Sequence, residues 1–317
     1  MPFSDQRVLH SPTGAMLNFY VRKAEGKPRG VVHINHGLAE HAARYSRFAD
    51  FLARCGYTTY AHDHRGHGST TAPDAPLGVF AWKDGRSKVL ADIAAMHDLI
   101  KREHPTQPLI LFGHSLGAII VLNFLQRHSS HLKGAAIFNA NVSAGASPRF
   151  AQLLLGWERF RLGSDTPSRF MPRLTFRAWG KSINDAQSNF DWLSRDRNEV
   201  DKYIADPFCG WDASISLWRD LVGFIISGAR NRNYTQTDRG IALYLVGGEK
   251  DPATNGGKSV ESIAQRFSAM GFSNLVSRIY PNARHESLND LNRDEIMADF
   301  VEWADSALRP AGPSVSG

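Results

Sequence analysis

The chain has 317 residues, 42% of them hydrophobic and 10% aromatic, enough to build a full core for one large α/β domain or two smaller ones. No stretch reaches about 18 consecutive apolar residues, which argues against a transmembrane helix, and the two cysteines, Cys55 and Cys209, make no disulfide framework. The net charge of +6 has no run of five or more Lys/Arg behind it, so it reads as a solvated basic surface with no nucleic-acid partner. The N-terminal Met-Pro-Phe-Ser-Asp-Gln-Arg lacks the basic-then-apolar pattern of a signal peptide, and with free thiols a cytoplasmic setting is expected.

In chain order, residues 6–10 and 16–22 predict a hairpin around Ser11-Pro12-Thr13-Gly14. Strands at Gly30–Asn35 and Tyr57–His62 flank a helix over about 42–54, and a longer helix covers 84–104 with Val89, Ile93, Met96 and Ile100 on one stripe. Further strands are expected at Leu109–Phe112, Gly134–Asn139, Ile241–Val246 and Leu275–Tyr280, with a terminal helix at 291–307. This alternation predicts an α/β fold with a mostly parallel sheet covered on both faces. Residues 142–235 break the rhythm with helical patterns at Phe150–Phe160, Asn198–Ile204 and Ile215–Ser227 and no buried strand. The expected organisation is a core of 1–141 and 236–309, a helical cap of 142–235 over the strand ends where ligands bind, and a disordered tail at 310–317.

Residues 109–128 carry the most specific signal: an apolar strand, the turn Gly113-His114-Ser115-Leu116-Gly117, and an apolar helix. This is a G-x-S-x-G nucleophile elbow in the strand–turn–helix context that makes it specific. Ser115 is the candidate nucleophile, which needs a base and a group to orient that base. In the order Ser…Asp/Glu…His, the histidine available after residue 131 is His285, in a loop just past a strand. The acid is expected at Asp251, after the strand Leu243–Val246, with Glu249 as the alternative and Asp238 at the wrong end of that strand. Oxyanion donors are expected from the backbone N–H groups of Leu38, after His36-Gly37, and of Leu116. Pocket positions are assigned to His36, Gly37 and His114 beside the elbow and to Leu154 and Trp157 in the cap. The apolar surface around Phe150, Leu153, Leu154, Trp157 and residues 170–179 suits plain packing on the core, or an acyl tunnel whose outside rests on lipid.

His36-Gly37-Leu38-Ala39-Glu40-His41 with Arg44 and Tyr45, His62-Asp63-His64-Arg65-Gly66-His67-Gly68-Ser69, and the elbow resemble the monoglyceride lipase/lysophospholipase branch of the α/β-hydrolases. In the cap, Trp192-Leu193-Ser194-Arg195-Asp196 and Asp206-Pro207-Phe208-Cys209-Gly210 resemble it too. The resemblance implies an α/β-hydrolase fold and serine-dependent hydrolysis of medium- or long-chain acyl esters, a small-molecule substrate, and no cofactor. The same triad also serves small-ester carboxylesterases, C–C hydrolases, prolyl-type aminopeptidases and cofactor-free haloperoxidases, and a non-catalytic ligand-binding member of the fold is the alternative of another class. His62, His64 and His67 around Asp63 have metal-ligand chemistry, but the Arg65-Gly66-His67-Gly68 turn favours hydrogen-bonded structural histidines, so no metal is expected.

Overall fold

The computed structural model describes Phe3 and residues 5–309. The expected tail at 310–317 lies outside the described residues. One eight-stranded sheet forms the centre, from β1 (Asp5–His10), β2 (Met16–Arg22), β3 (Gly30–Asn35), β4 (Tyr57–His62), β5 (Leu109–His114), β6 (Gly134–Phe138), β7 (Ala242–Gly248) and β8 (Leu275–Tyr280). Their order across the sheet is β1-β2-β4-β3-β5-β6-β7-β8. The first hairpin and the β2–β4 pair are antiparallel, and every other pair is parallel. The α/β-hydrolase architecture read from the sequence is thus borne out.

The five strands β3 to β7 are buried apart from the half-buried Leu109 at the start of β5, and most of them read as near-continuous apolar runs for that reason. Alternate residues feed two cores. Ile110 and Phe112 pack with Phe48 of α1 (Ser46–Arg54) and Phe300 of the C-terminal helix (Arg293–Leu308). Leu111 packs on the other face with Val89 and Ile93 of α2 (Gly85–Glu103) and Ile120 and Phe124 of α3 (Leu116–His128).

Between β6 and β7 run α4 (Ala146–Leu162), the short α5 (Met171–Leu174) and α6 (Phe176–Lys181), α7 (Arg197–Ala205) and α8 (Ile215–Gly228). Trp218, Leu221 and Val222 of α8 share the apolar cluster of α3, so this segment is continuous with the core. After β7 come α9 (Lys258–Ala269), β8 and α10, the C-terminal helix.

One expectation needed adjustment. The helix expected over 42–54 begins as a 3-10 turn at Ala42–Tyr45, because the Ala42 N–H donates to the Asp63 carboxylate and the Tyr45 hydroxyl to Glu40. The stretch 170–179 is two short helices, broken at Thr175, whose hydroxyl donates to the Met171 carbonyl. Among the described residues no helix is long and apolar enough to cross a membrane.

Beneath the sheet edge, His33, His62, His64, His67 and His97 are buried. Burial, reinforced for each by neighbouring histidines, lowers their proton affinity; His62, His67 and His97 are pushed down to about 3. The unfolded chain takes up these protons near pH 6.5 and the folded chain does not, so stability rises with pH through this interval and is lost as pH falls below it. Each such histidine costs up to about 1.4 kcal/mol per pH unit below 6.5. Melting temperature should therefore fall steeply between pH 7 and 5. His97→Phe, which keeps the edge contact with Phe124, should make that fall shallower in thermal scans at a series of pH values.

Candidate active site

The sheet register brings the ends of five strands together. Asn35 pairs with Gly113, His114 with Phe138, Phe138 with Val246, and Gly248 with Tyr280. The loops that follow β3, β5, β7 and β8 therefore open on one edge, and they carry Leu38, Ser115, Asp251 and His285.

At the end of β5 the chain reverses so tightly that Ser115 takes φ +53° and ψ −114°. A Cβ at Gly113 would come within 2.5 Å of the Gly117 carbonyl oxygen, and one at Gly117 within 2.1 Å of the Asn35 oxygen. The turn is held by the Ser115 N–H donating to Phe138 O at 2.9 Å and by Ile119 N–H donating to Ser115 O at 3.0 Å. The hydroxyl stands 2.9 Å from His285 Nε2. His285 Nδ1 lies 3.0 Å from both Asp251 carboxylate oxygens. A carboxylate only accepts, so Nδ1 carries the proton and Nε2 is left as the acceptor for the serine hydroxyl. Burial pushes the Asp251 carboxyl up, but His285 and the hydrogen bonds from His285, Asn139 and Thr254 outweigh it and leave the group below its usual range. Glu249 instead accepts the Asn282 N–H at 3.0 Å, away from the imidazole.

Leu116 is the first residue of α3, so its N–H belongs to the free first turn of the helix. Among the described residues the Leu38 N–H has no acceptor. Both residues line the cavity beside Ser115, which has a volume of about 360 Å³. Ile119, Met171, Phe176, Trp179, Trp218 and Leu221 supply much of its apolar wall, and no carboxylate or basic side chain other than His285 is among its lining residues.

Five expected pocket positions are not on that wall. Helix α4 turns Ser147, Pro148 and Ala151 to the cavity, which leaves Leu154 off its lining and Trp157 about half exposed, packed on Phe170. His36, Gly37 and His114 lie behind the elbow with their polar atoms engaged. His36 accepts from His64 N–H and donates to Gly37 O, and the Gly37 N–H donates to Glu40.

His114 belongs to a buried cluster that single residues in the sequence did not announce. Glu40 accepts from Gly37 N–H at 2.6 Å, Tyr45 OH at 2.9 Å and Arg44 at 2.5 Å, and Arg44 forks onto Glu286 at 2.6 and 2.7 Å. Both His114 nitrogens face oxygen acceptors, Glu40 Oε1 at 3.3 Å and the His285 carbonyl at 3.0 Å. Burial opposes its protonation, yet Glu40 and Glu286 raise its affinity above the ordinary histidine value. Burial also disfavours the Glu40 charge, but Arg44 and His114 hold that carboxyl well below its usual range. The segment 191–194 grips the same loop from the other side: His285 N–H donates to Trp192 O, Glu286 N–H to Leu193 O, and Arg284 to the carbonyls of Asp191 and Ser194. Its signal in the sequence was the Trp192–Asp196 motif, whose role there was open.

His62, His64 and His67 do not converge on a common point for an ion. The one such group among the described residues is His41, Asp206 and Cys209. There His41 already pairs with Asp206 at 2.8 Å, and burial pushes the Cys209 thiol up, away from the thiolate a metal needs.

A family model described as serine aminopeptidase, S33 (Hydrolase_4) matches residues 26–292, and the chain belongs to that family of serine hydrolases. A monoacylglycerol lipase of Mycolicibacterium smegmatis is 27% identical over 305 residues, covering 93% of this chain and 95% of that protein. The mouse monoglyceride lipase is 26% identical over 207 residues, 65% of this chain and 61% of its own length. A thermostable carboxyl esterase from Bacillus coagulans, solved with glycerol, superposes with a TM-score of 0.87 at 21% identity over 98% of this chain and 100% of that one, which establishes the fold.

Removing one member of the Glu40 cluster leaves charge buried and half paired. Glu40→Ala should cost about 3–5 kcal/mol, read as a lowered urea midpoint at pH 7 with an unchanged slope.

Proposed function

We propose that this member of the Hydrolase_4 family hydrolyses carboxylic esters of the monoacylglycerol type, with Ser115 as nucleophile, His285 as general base and acid, and Asp251 as the group that orients the imidazole. The observation that carries the reading is the apolar cavity of about 360 Å³ that opens on the Ser115 hydroxyl without a carboxylate on its wall. An acyl chain suits that wall. The substrate ammonium of an aminopeptidase, or of the S33 description taken literally, would be buried there without a counter-charge.

Ser115 Oγ attacks the ester carbonyl carbon as its proton passes to His285 Nε2, and the oxygen that becomes anionic receives the N–H groups of Leu38 and Leu116. Collapse of the tetrahedral intermediate breaks the C–O bond to the alcohol, which takes the proton from Nε2. Water then attacks the acyl-serine, giving its proton to His285, and the second collapse returns that proton to Ser115 as the acid leaves. Asp251 stays ionised throughout, holding Nδ1–H and balancing the imidazolium. Residues 142–235 act in this reading as a cap that walls the acyl chain from water, and none of these steps requires a cofactor.

Ser115→Ala should retain the melting temperature and lose about 10⁴-fold or more in kcat on p-nitrophenyl esters. It should also fail to react with a fluorophosphonate probe. A folded Ser115→Ala protein with more than a few per cent of the parent rate would refute the nucleophile. Asp251→Asn should lower kcat by orders of magnitude and Glu249→Gln only mildly, and the reverse result would reassign the acid.

Each methylene buried in the cavity is worth about 0.8 kcal/mol, so kcat/KM should climb by up to about fourfold per carbon along a series of esters until the cavity is full. Trp218→Ala should move the chain length at which the climb stops. A flat profile from acetate to decanoate would favour a small-ester hydrolase, and preferential cleavage of prolyl anilides would favour the aminopeptidase.

A further inference from the structure

The motif Asp206-Pro207-Phe208-Cys209-Gly210 takes no part in the chemistry at Ser115, yet it lies against the loop that carries Leu38. His41 pairs with Asp206 at 2.8 Å and meets the Phe208 ring edge-on. Two donors from the same stretch of chain converge on one atom, the Ala39 carbonyl oxygen. They are the Tyr203 hydroxyl of α7 at 2.9 Å and the Gly210 N–H at 3.0 Å. The insertion between β6 and β7 therefore grips this loop at both Ala39 and His41.

Ala39 needs that grip. It is fully buried with φ at +54°, in the left-handed region where a Cβ crowds the following carbonyl. Nothing intrinsic to alanine favours this conformation, so its surroundings impose it. The loop is also fixed on the N-terminal side, where Gly37 N–H donates to Glu40 and Gly37 O accepts from His36 at 2.8 Å. One anchor thus holds the Gly37 carbonyl, and Tyr203 and Gly210 hold the next carbonyl but one. Leu38 stands between these anchors on the wall of the cavity beside Ser115, and its N–H has no acceptor among the described residues.

The Tyr203 hydroxyl is itself held in place. Its buried ring packs on the Arg44 guanidinium, 4.9 Å from the ring centroid, and on Phe190 at 5.2 Å. Burial raises its pKa well above the ordinary tyrosine value, so the group remains a donor through neutral and alkaline pH.

We propose that Tyr203 is a positioning residue for the oxyanion donor at Leu38. Its hydroxyl keeps Ala39 left-handed, and through Ala39 it keeps the Leu38 N–H turned towards the oxygen that gains charge. This role rests on the ester hydrolysis proposed at Ser115, and it gives the cap a part in the chemistry besides walling the acyl chain. An oxyanion donor acts in the transition state, so its misplacement lowers kcat and kcat/KM alike and leaves KM unchanged. A tyrosine that only packed the cap would show the opposite split, because its loss would loosen the cavity wall and raise KM.

Tyr203→Phe keeps the ring contacts and removes the hydroxyl, with the Gly210 N–H still on the Ala39 carbonyl. Circular-dichroism melting checks that the variant is folded. On p-nitrophenyl esters kcat should fall about tenfold, short of the roughly 100-fold or more that follows outright loss of a donor. KM and the pH profile of kcat/KM should stay as in the parent, since His285 and Asp251 are untouched. Fluorophosphonate labelling should slow in parallel, because its phosphoryl oxygen meets the same donors. Glycine enters the left-handed region without the Cβ penalty, so Ala39→Gly added to Tyr203→Phe should raise kcat again by about threefold or more.

A folded Tyr203→Phe protein with the parent kcat would overturn the proposal. So would a loss carried by KM alone, a displaced pH profile, or a fall in kcat that Ala39→Gly does not relieve. A parent inert to both the esters and the fluorophosphonate would refute the chemistry at Ser115 and this role with it, whereas an active parent isolates the result at Tyr203.

Discussion

The distance of closest approach between α3 and the β3–β5 edge governs the rest of this molecule. With no Cβ at Gly113 or Gly117, the helix can start almost against the backbone of Asn35 and His36, and the intervening residue is driven into a conformation that costs of order 1–3 kcal/mol for a non-glycine. Pairing of β5 with β3 and β6 on either side, and the bond from Ser115 N–H to Phe138 O, hold it there. The strain sets the direction of one hydroxyl. It also leaves the Leu116 N–H at the open end of a helix, beside the point where negative charge would develop.

A hydroxyl fixed this rigidly meets its imidazole only if that ring is fixed to match, and His285 lies 170 residues away in sequence. Its loop is held at several points by a buried group of acidic and basic side chains. Glu40 and Glu286 face Arg44 and His114 in one buried group, and the two acids raise the proton affinity of His114. Asp251 is the carboxylate that determines which ring nitrogen of His285 carries the proton. That the bracing residues meet as acids and bases in one group follows from the desolvation cost of an unpaired buried charge.

Local rules made much of this legible. Strand limits at β3, β4 and β8 follow from short apolar runs bounded by Gly, Pro and Asn, and the elbow follows from two glycines at the required spacing. Ser115, Asp251 and His285 could be named because strand ends in a parallel sheet share an edge, so residues just past them become neighbours. The bracing cluster was less visible. Glu40 and Arg44 stood in a motif without a stated role and Glu286 only beside His285, and the fold alone puts the two acids on either side of Arg44. The pocket wall was misjudged for a related reason. An apolar residue on an amphipathic helix can face a cavity, a core or solvent, and the helical period alone does not choose; Trp157 faces out, while Trp218 of α8, which the sequence did not single out, faces the cavity.

The segment between β6 and β7 shows how one short stretch can serve two environments. From 171 to 181 the side chains are sorted by position: Met171, Leu174, Phe176 and Trp179 line the cavity, whereas Arg173, Arg177 and Lys181 are exposed. A charge moved from the outer set to the inner one would lose its water without gaining a partner, at a cost of several kcal/mol. The same penalty falls on a ligand. A charged group on a substrate would remain outside, while an uncharged chain could enter. The apolar lining of the cavity therefore follows from the same sorting that keeps the bases on the outside.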